Sequence, residues 1–360
     1  MPQILSTNTF TTAKWIVSAT SSDGTHTTIA SALTSASSGD TIFIRPGTYT
    51  ENLTLKAGVN LTAFECDAQT PNVTIIGKMT ATFTGTVTIS GIKLTTNSDY
   101  FLECTGATTF TLNLFRCFLN CSNNTGINIT NSSAGSNVIC VNCYGDIGTT
   151  GITYYTVTNN CFLKFEYCTL DNSGQSTTAS NNSTTNIIFK WTSYSFPIST
   201  SSTGTIQMTM CNSNTGFNNA VAILYNGTGG GGFVTGSYFN SGTASTISVG
   251  AGATLDVHNC VISSSNTNAI TGAGTLIYTV NSFYGSSSTV NTTTQTVLTI
   301  GPRLKIGNGA QIISGSGSPS GSITAPKGSL YLRTDGSSTS TRAYINTNSG
   351  TTWTAITTVA

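Results

Sequence analysis

Two acids, Asp146 and Asp171, are the residues of this chain best suited by type and spacing to cutting a polysaccharide. Each stands three places after a cysteine, Cys143 and Cys168, so a repeating structure would bring them to equivalent positions in adjacent repeats. If those repeats stack as neighbouring strands, the carboxylates lie about 5 Å apart, a separation that suits a retaining glycosidase pair. The plainer reading is a turn position that favours Asn and Asp for local hydrogen bonding, because the same column continues as Asn120, Phe196, Asn214, Asn240 and Ser263. Glu166 is close in sequence, on a face that spacing does not fix. Cys117-x3-Cys121 and Cys140-x2-Cys143 have the spacing of a four-thiolate zinc site. They also alternate within an apolar template, with neither His26 nor His258 nearby, so buried thiols acting as small apolar residues are the expectation and no metal or cofactor is assigned. One place after the anchor, a column reads Phe118, Tyr144, Thr169, Tyr194, Asn212, Tyr238, Val261, Phe283. Outward-facing, its aromatics Phe118, Tyr144, Tyr194 and Tyr238 would stack on sugar rings or pack between the chains of a trimer.

What must position these residues is a repeat. The segments Leu112–Asn120, Val138–Asp146 and Leu163–Asp171 align on Cys117, Cys143 and Cys168, with apolar residues five and three places before each cysteine. The template recurs less perfectly at Ser193, Cys211, Ser237, Cys260 and Ser282. A drifting period of about 24 residues, strand-like alternation and abundant Gly, Asn, Ser and Thr describe a β-solenoid. Helical repeats are a poor rival, because the segments alternate with a period of two and are rich in β-branched Thr, Val and Ile.

Composition narrows the function. Of 360 residues only 7% are charged, against about 25% in an average soluble protein. The net charge of +1 gives no basic footprint for nucleic acid. No apolar run is long enough to span a membrane. The start of the chain lacks the pattern of a secretory signal, so its ten cysteines are expected as thiols made in a cytosol.

In order, residues 1–25 read as an arm, followed by a short helix Ile29–Ala36 capped by Thr27 or Thr28, with Ile29, Ala32, Leu33 and Ala36 apolar. The stretch GDTIFIRPGTYTENLTL and the following GVNLTAF resemble the opening coils of pectin-lyase-like right-handed parallel β-helix proteins, pectin methylesterases among them. The resemblance implies an all-β parallel β-helix over residues 26–300 with its first coil covered by the helix. It does not imply esterase activity, since the methylesterase motifs of two Asp, Gln and Arg have no match. A Gly/Ser-rich connector at 301–322 precedes a β meander at 323–360, with strands Ser329–Arg333, Arg342–Asn346 and Thr352–Ile356. The tract SGSITAPKGSLYLRTDGSSTSTRAYINTNSGTTWTAI resembles a C-terminal module of phage and virus fibre, spike and appendage proteins. That resemblance implies a homotrimer on a virion, joined to other virion proteins through one terminus. The expected role is attachment to a host-surface glycan, with no bond broken. The rivals are a tailspike depolymerase using Asp146 and Asp171, and a capsid decoration protein without a receptor.

Overall fold

A computed structural model describes residues 14–20, 23–64, 67–96, 100–106, 108–121, 126–130, 135–147, 153–157, 161–171, 178–181, 186–195, 198–200, 204–215, 223–225, 231–241, 245–264, 268–279, 282–284, 289–297, 303–305 and 309–357. The chain divides into two compact units, Met1–Thr296 and Val297–Ala360.

The first unit is a parallel β-helix with three strands per coil. Within one coil, Phe110–Phe115 turns a sharp corner into Phe118–Cys121, and a longer connection leads to the short strand Ile127–Ile129. Each strand then pairs in parallel with its counterparts one coil away. Leu112 lies beside Val138 and Val138 beside Leu163, while Leu114 lies beside Cys140 and Cys140 beside Phe165. The strands after the corner form an 11-stranded sheet, and the other two sets belong to a 22-stranded assembly. Alternation dictates the lining, because successive side chains point to opposite faces of a strand. Leu112, Leu114, Val138, Cys140, Leu163 and Phe165 are therefore wholly buried, while the residues between them face out. Larger rings fill the middle coils, where Phe165 stacks on Phe189 with centroids 5.3 Å apart.

The first coil is closed by the single helix among the described residues, α1, Ile29–Ser35, capped by Thr28, whose hydroxyl accepts from the Ser31 amide. Ile29, Ala32, Leu33 and Ala36 are buried beneath it, as their spacing predicts. Its ends are held by charges of the right sign for the helix dipole. The Glu51 carboxylate accepts from the amides of Ile29 and Ala30, both at 2.9 Å, and Lys56 Nζ donates to the Ala36 carbonyl at 2.5 Å. Trp15–Val17, within the stretch read as an arm, pairs in parallel with Thr41–Ile44. Asp40 ties the two together, accepting from Trp15 Nε1 at 2.8 Å.

The second unit carries a five-stranded sheet: Arg303–Lys305, Gln311–Gly315, Leu330–Arg333, Ala343–Asn346 and Trp353–Ile356. Its first two strands fall in the Gly/Ser-rich stretch. Ile313, Ala325, Tyr331, Tyr344 and Trp353 form the core, with Trp353 Nε1 donating to the Ile323 carbonyl at 2.8 Å.

Two register assignments from the sequence are corrected. Asn186–Lys190 pairs residue for residue with Phe162–Glu166, placing Glu166 beside Lys190 and Thr169 beside Ser193. The anchor of that coil is therefore Thr192, not Ser193. The alignment admitted any small polar residue at the anchor, and two stood side by side. Ser282 is also one place late, since it pairs with Val261. A slip of one residue reverses the face of every side chain in the strand.

Candidate functional site

In eight successive coils, from Gly91 to Asn259, the corner between the first and second strands is built by two residues. The first adopts the left-handed conformation: φ is 50° at Arg116, 52° at Asn142, 54° at Tyr167, 51° at Trp191, 52° at Met210 and 52° at Asn259, with Gly91 at 70° and Gly236 at 60°. Its amide continues the ladder to the next coil, as where Tyr167 N–H donates to the Lys190 carbonyl and Trp191 N–H to that of Thr209. The second is the buried anchor. Its side chain donates to the carbonyl two residues earlier and to a carbonyl of the preceding coil: Cys143 Sγ to Val141 and Leu114, Cys168 Sγ to Glu166 and Cys140, Thr192 Oγ1 to Lys190 and Phe165. From Cys117 to Cys260 the anchor is a small side chain with an S–H or O–H, whereas Ile92, one coil earlier in the same column, is a buried residue without a donor. The thiols do more than fill space.

The left-handed residue projects outward, and here the chain departs from what the backbone prefers. Gly and Asn enter this conformation readily, whereas bulky side chains meet the following carbonyl. Gly91, Asn142, Gly236 and Asn259 follow the rule; Tyr167, Trp191 and Met210 in three successive coils do not. All three are half exposed, at 54%, 52% and 48%. The Tyr167 and Trp191 rings stack almost parallel, with centroids 6.2 Å apart and an interplanar angle of 13°. Met210 lies over Gly236, where an added Cβ would come within 2.8 Å of its Sδ. Large side chains in a costly conformation and turned to solvent make this ridge the candidate functional surface.

Polar groups border this ridge. On the outward face just before the corner stand Lys164, Glu166 and Lys190, half-buried. Glu166 pairs along its own strand with Lys164. The Lys190 ammonium, one residue from Trp191, has no ion pair among the described residues. Two coils before Tyr167, Arg116 occupies the same corner position, its guanidinium 5.1 Å from the exposed Phe115 ring.

The residues proposed from sequence are placed as follows. Phe118 and Tyr144 face outward as partners on neighbouring coils, their rings 5.1 Å apart, with Lys93 over Phe118 at 5.2 Å. Tyr238 is exposed. Tyr194 is corrected: it points inward, 1% exposed, and packs 5.8 Å from Phe189. Burial holds its phenol well above the usual tyrosine range, so it stays neutral and takes no part in an outer surface. Asp146 and Asp171 are direct register partners on adjacent strands. Asp146 belongs to an outward column of small polar residues that includes Asn120 and Ser195, whose amide bonds to Leu170; Phe196, assigned there from sequence, lies outside the described residues. His26 is used at the cap, bonding Thr25 and Ser35. Among the described residues no three His, Cys, Asp or Glu side chains are grouped to hold a metal ion.

The sequence reading missed Tyr167, Trp191 and Met210 because it looked one place after the anchor instead of one place before. The signal was there: Gly and Asn recur in that column, as a left-handed corner requires.

No family model matches this chain, and no curated protein does. Solved structures are similar at low identity. A pectin methylesterase from Aspergillus niger is 16% identical over 80% of this chain and 90% of its own, with a TM-score of 0.41. Pectin methylesterase PemA from Erwinia chrysanthemi is 12% identical over 79% and 93%, with a TM-score of 0.40. ORF18 of Geobacillus virus E2 is 14% identical over 92% and 73%, with a TM-score of 0.32. Identity this low says nothing of activity, and the fold itself is read from the stacked coils described above.

Proposed function

We propose that the chain is a virion surface protein that attaches to host glycan without cutting it, acting as a homotrimer joined to other virion proteins through one terminus. The observation that carries the reading is the stacked, exposed pair Tyr167 and Trp191 in a conformation that neither ring favours. Flat aromatic faces on an otherwise weakly charged outer surface suit the apolar face of a sugar ring. The likeness of the C-terminal tract to fibre and spike modules supports the virion setting.

The test is adsorption of particles carrying the native chain or the double variant Tyr167→Ala/Trp191→Ala to host cells. Loss of adsorption in the variant, and its loss for native particles after periodate oxidation of host glycans, is the expected result. Unchanged adsorption in both comparisons would refute attachment through this surface. Release of reducing ends from host polysaccharide, abolished in Asp146→Asn, would overturn the non-catalytic part.

A further inference from the structure

We infer that the corner ridge binds a linear acidic glycan laid along the solenoid axis, its sugar faces on Tyr167 and Trp191 and its anionic groups toward Arg116 and Lys190. This rests on the attachment reading and adds the ligand's chemistry, direction and charge.

Three observations carry it. The first is direction: equivalent corner residues repeat once per coil, about 4.8 Å apart, which is close to the length of one sugar residue. A chain laid along the axis therefore meets the corner residues in step, and Tyr167 and Trp191, in adjacent coils, are both half exposed with ring planes 13° from parallel. The second is charge. Between Asp171 and Pro302 the sequence contains only Lys190 and Asp256 as charged residues, yet Lys190 stands directly beside Trp191. The nearest acid, its register partner Glu166, is turned to Lys164. The three together leave one uncompensated positive charge. Arg116 adds a second at the same corner, with no ion pair among the described residues. Asn142 lies between Arg116 and Tyr167 on this line, an exposed amide that donates and accepts hydrogen bonds. The third is conformational. Arg116 shares the left-handed strain of the two aromatics, with φ of 50°, so the departure from Gly and Asn spans cation and rings alike. In a protein of net charge +1, two cations on one aromatic line are a local field that complements an anionic polymer and not a neutral one.

The purified full-length chain is titrated with three polysaccharides: hyaluronan, carrying a carboxylate on alternate sugars; dextran sulfate; and neutral dextran. Trp191 fluorescence and affinity electrophoresis are the readouts. Trp191 is the most exposed of the three tryptophans, so quenching or a blue shift reports the ridge, and Trp191→Phe identifies the signal. The expected result is binding of at least one anionic polymer and not of dextran, weakening as salt rises. Trp191→Ala should weaken it about tenfold, and Arg116→Gln and Lys190→Gln about threefold each. Lys327→Gln, which removes an exposed charge from the second unit, should leave it unchanged. Carboxylate and sulfate are told apart by which polymer binds. Dextran binding as tightly as the anionic polymers, with no effect of Lys190→Gln, would overturn the acidic ligand while leaving the attachment reading intact. Equal loss in Lys327→Gln would reduce the effect to net charge and overturn the site. No quenching by any polymer overturns the inference, and cell adsorption then decides the attachment reading separately.

Discussion

Replacing Trp191 by Asn separates a ring that serves a ligand from one that serves the fold. The left-handed conformation disfavours a bulky L-residue by about 1–2 kcal/mol, and Asn is among the few side chains that tolerate it. Against that relief stand two losses. The Tyr167 stack contributes about 0.5–1.5 kcal/mol. With Trp191 52% exposed, about half the 1.5–3 kcal/mol of a fully buried large side chain is also forfeited. The balance runs from about 1 kcal/mol of stabilisation to about 2 kcal/mol of destabilisation, below the cost of emptying a core site. A ring in the core behaves otherwise: Phe189→Ala, at a wholly buried position stacked on Phe165, should cost about 3–5 kcal/mol. Thermal unfolding followed by circular dichroism, with both variants beside the native chain, makes the comparison. A clear fall in midpoint for Phe189→Ala and a much smaller change for Trp191→Asn is expected, with glycan binding weakened about tenfold in the latter. If Trp191→Asn unfolds as easily as Phe189→Ala, the ring is structural and the functional reading of the corner fails.

Three further outcomes follow from the same structure. Cys143→Ser should be tolerated within about 1 kcal/mol, because Thr192 and Ser237 already fill that column in other coils; Cys143→Val, which removes the donor to Leu114 and Val141, should lower the unfolding midpoint by the equivalent of about 1–3 kcal/mol. Glu51→Gln should weaken the cap over the first coil by about 1 kcal/mol, read as faster amide exchange at Ile29 and Ala30 with little change in the middle coils. In the second unit, the hydrogen bonds from Arg333, then from the Gly317 amide, hold the Asp335 carboxyl well below its ordinary value. A depressed folded-state pKa contributes stability above the unfolded value of about 3.9 that is lost as pH falls further. The second unit should therefore loosen below about pH 4 and not between pH 5 and 8. Asp335→Asn should abolish that acid dependence, as measured by Trp353 fluorescence.

The repeat was legible because the inward lining repeats in both chemistry and spacing. Leu112, Val138 and Leu163 stand in one column, and Leu114, Cys140 and Phe165 in the next. Helix α1 was legible for the same reason, with a Thr cap and four apolar residues on one face. What the pattern could not fix was a coil in which two small polar residues compete for the anchor. At Thr192-Ser193 only the pairing of Asn186–Lys190 with Phe162–Glu166 decides. That single residue sent Tyr194 outward on paper and inward in the molecule. The role of the anchor thiols was also hidden, since buried Cys reads as a small apolar residue until its donors are seen beside carbonyls.

The outer ridge was the hardest feature to find, for a physical reason. A corner column is specified by backbone conformation, so its expected content is Gly and Asn, and it carries no hydrophobic period that a sequence template would notice. Function appears there only as a departure from the expected residues. Across the coils that departure runs from Arg116 to Met210, broken by Asn142 and bounded by Gly91 and Gly236. Had the bulky residues been scattered among the corners, each would be explained as local tolerance. Three successive coils, two of them with stacked rings, are instead a continuous surface, and the two conforming glycines mark where its length ends. A substitution that restores Gly or Asn to this column should therefore shorten the bound ligand one coil at a time, a graded loss that subunit packing or tolerance would not produce.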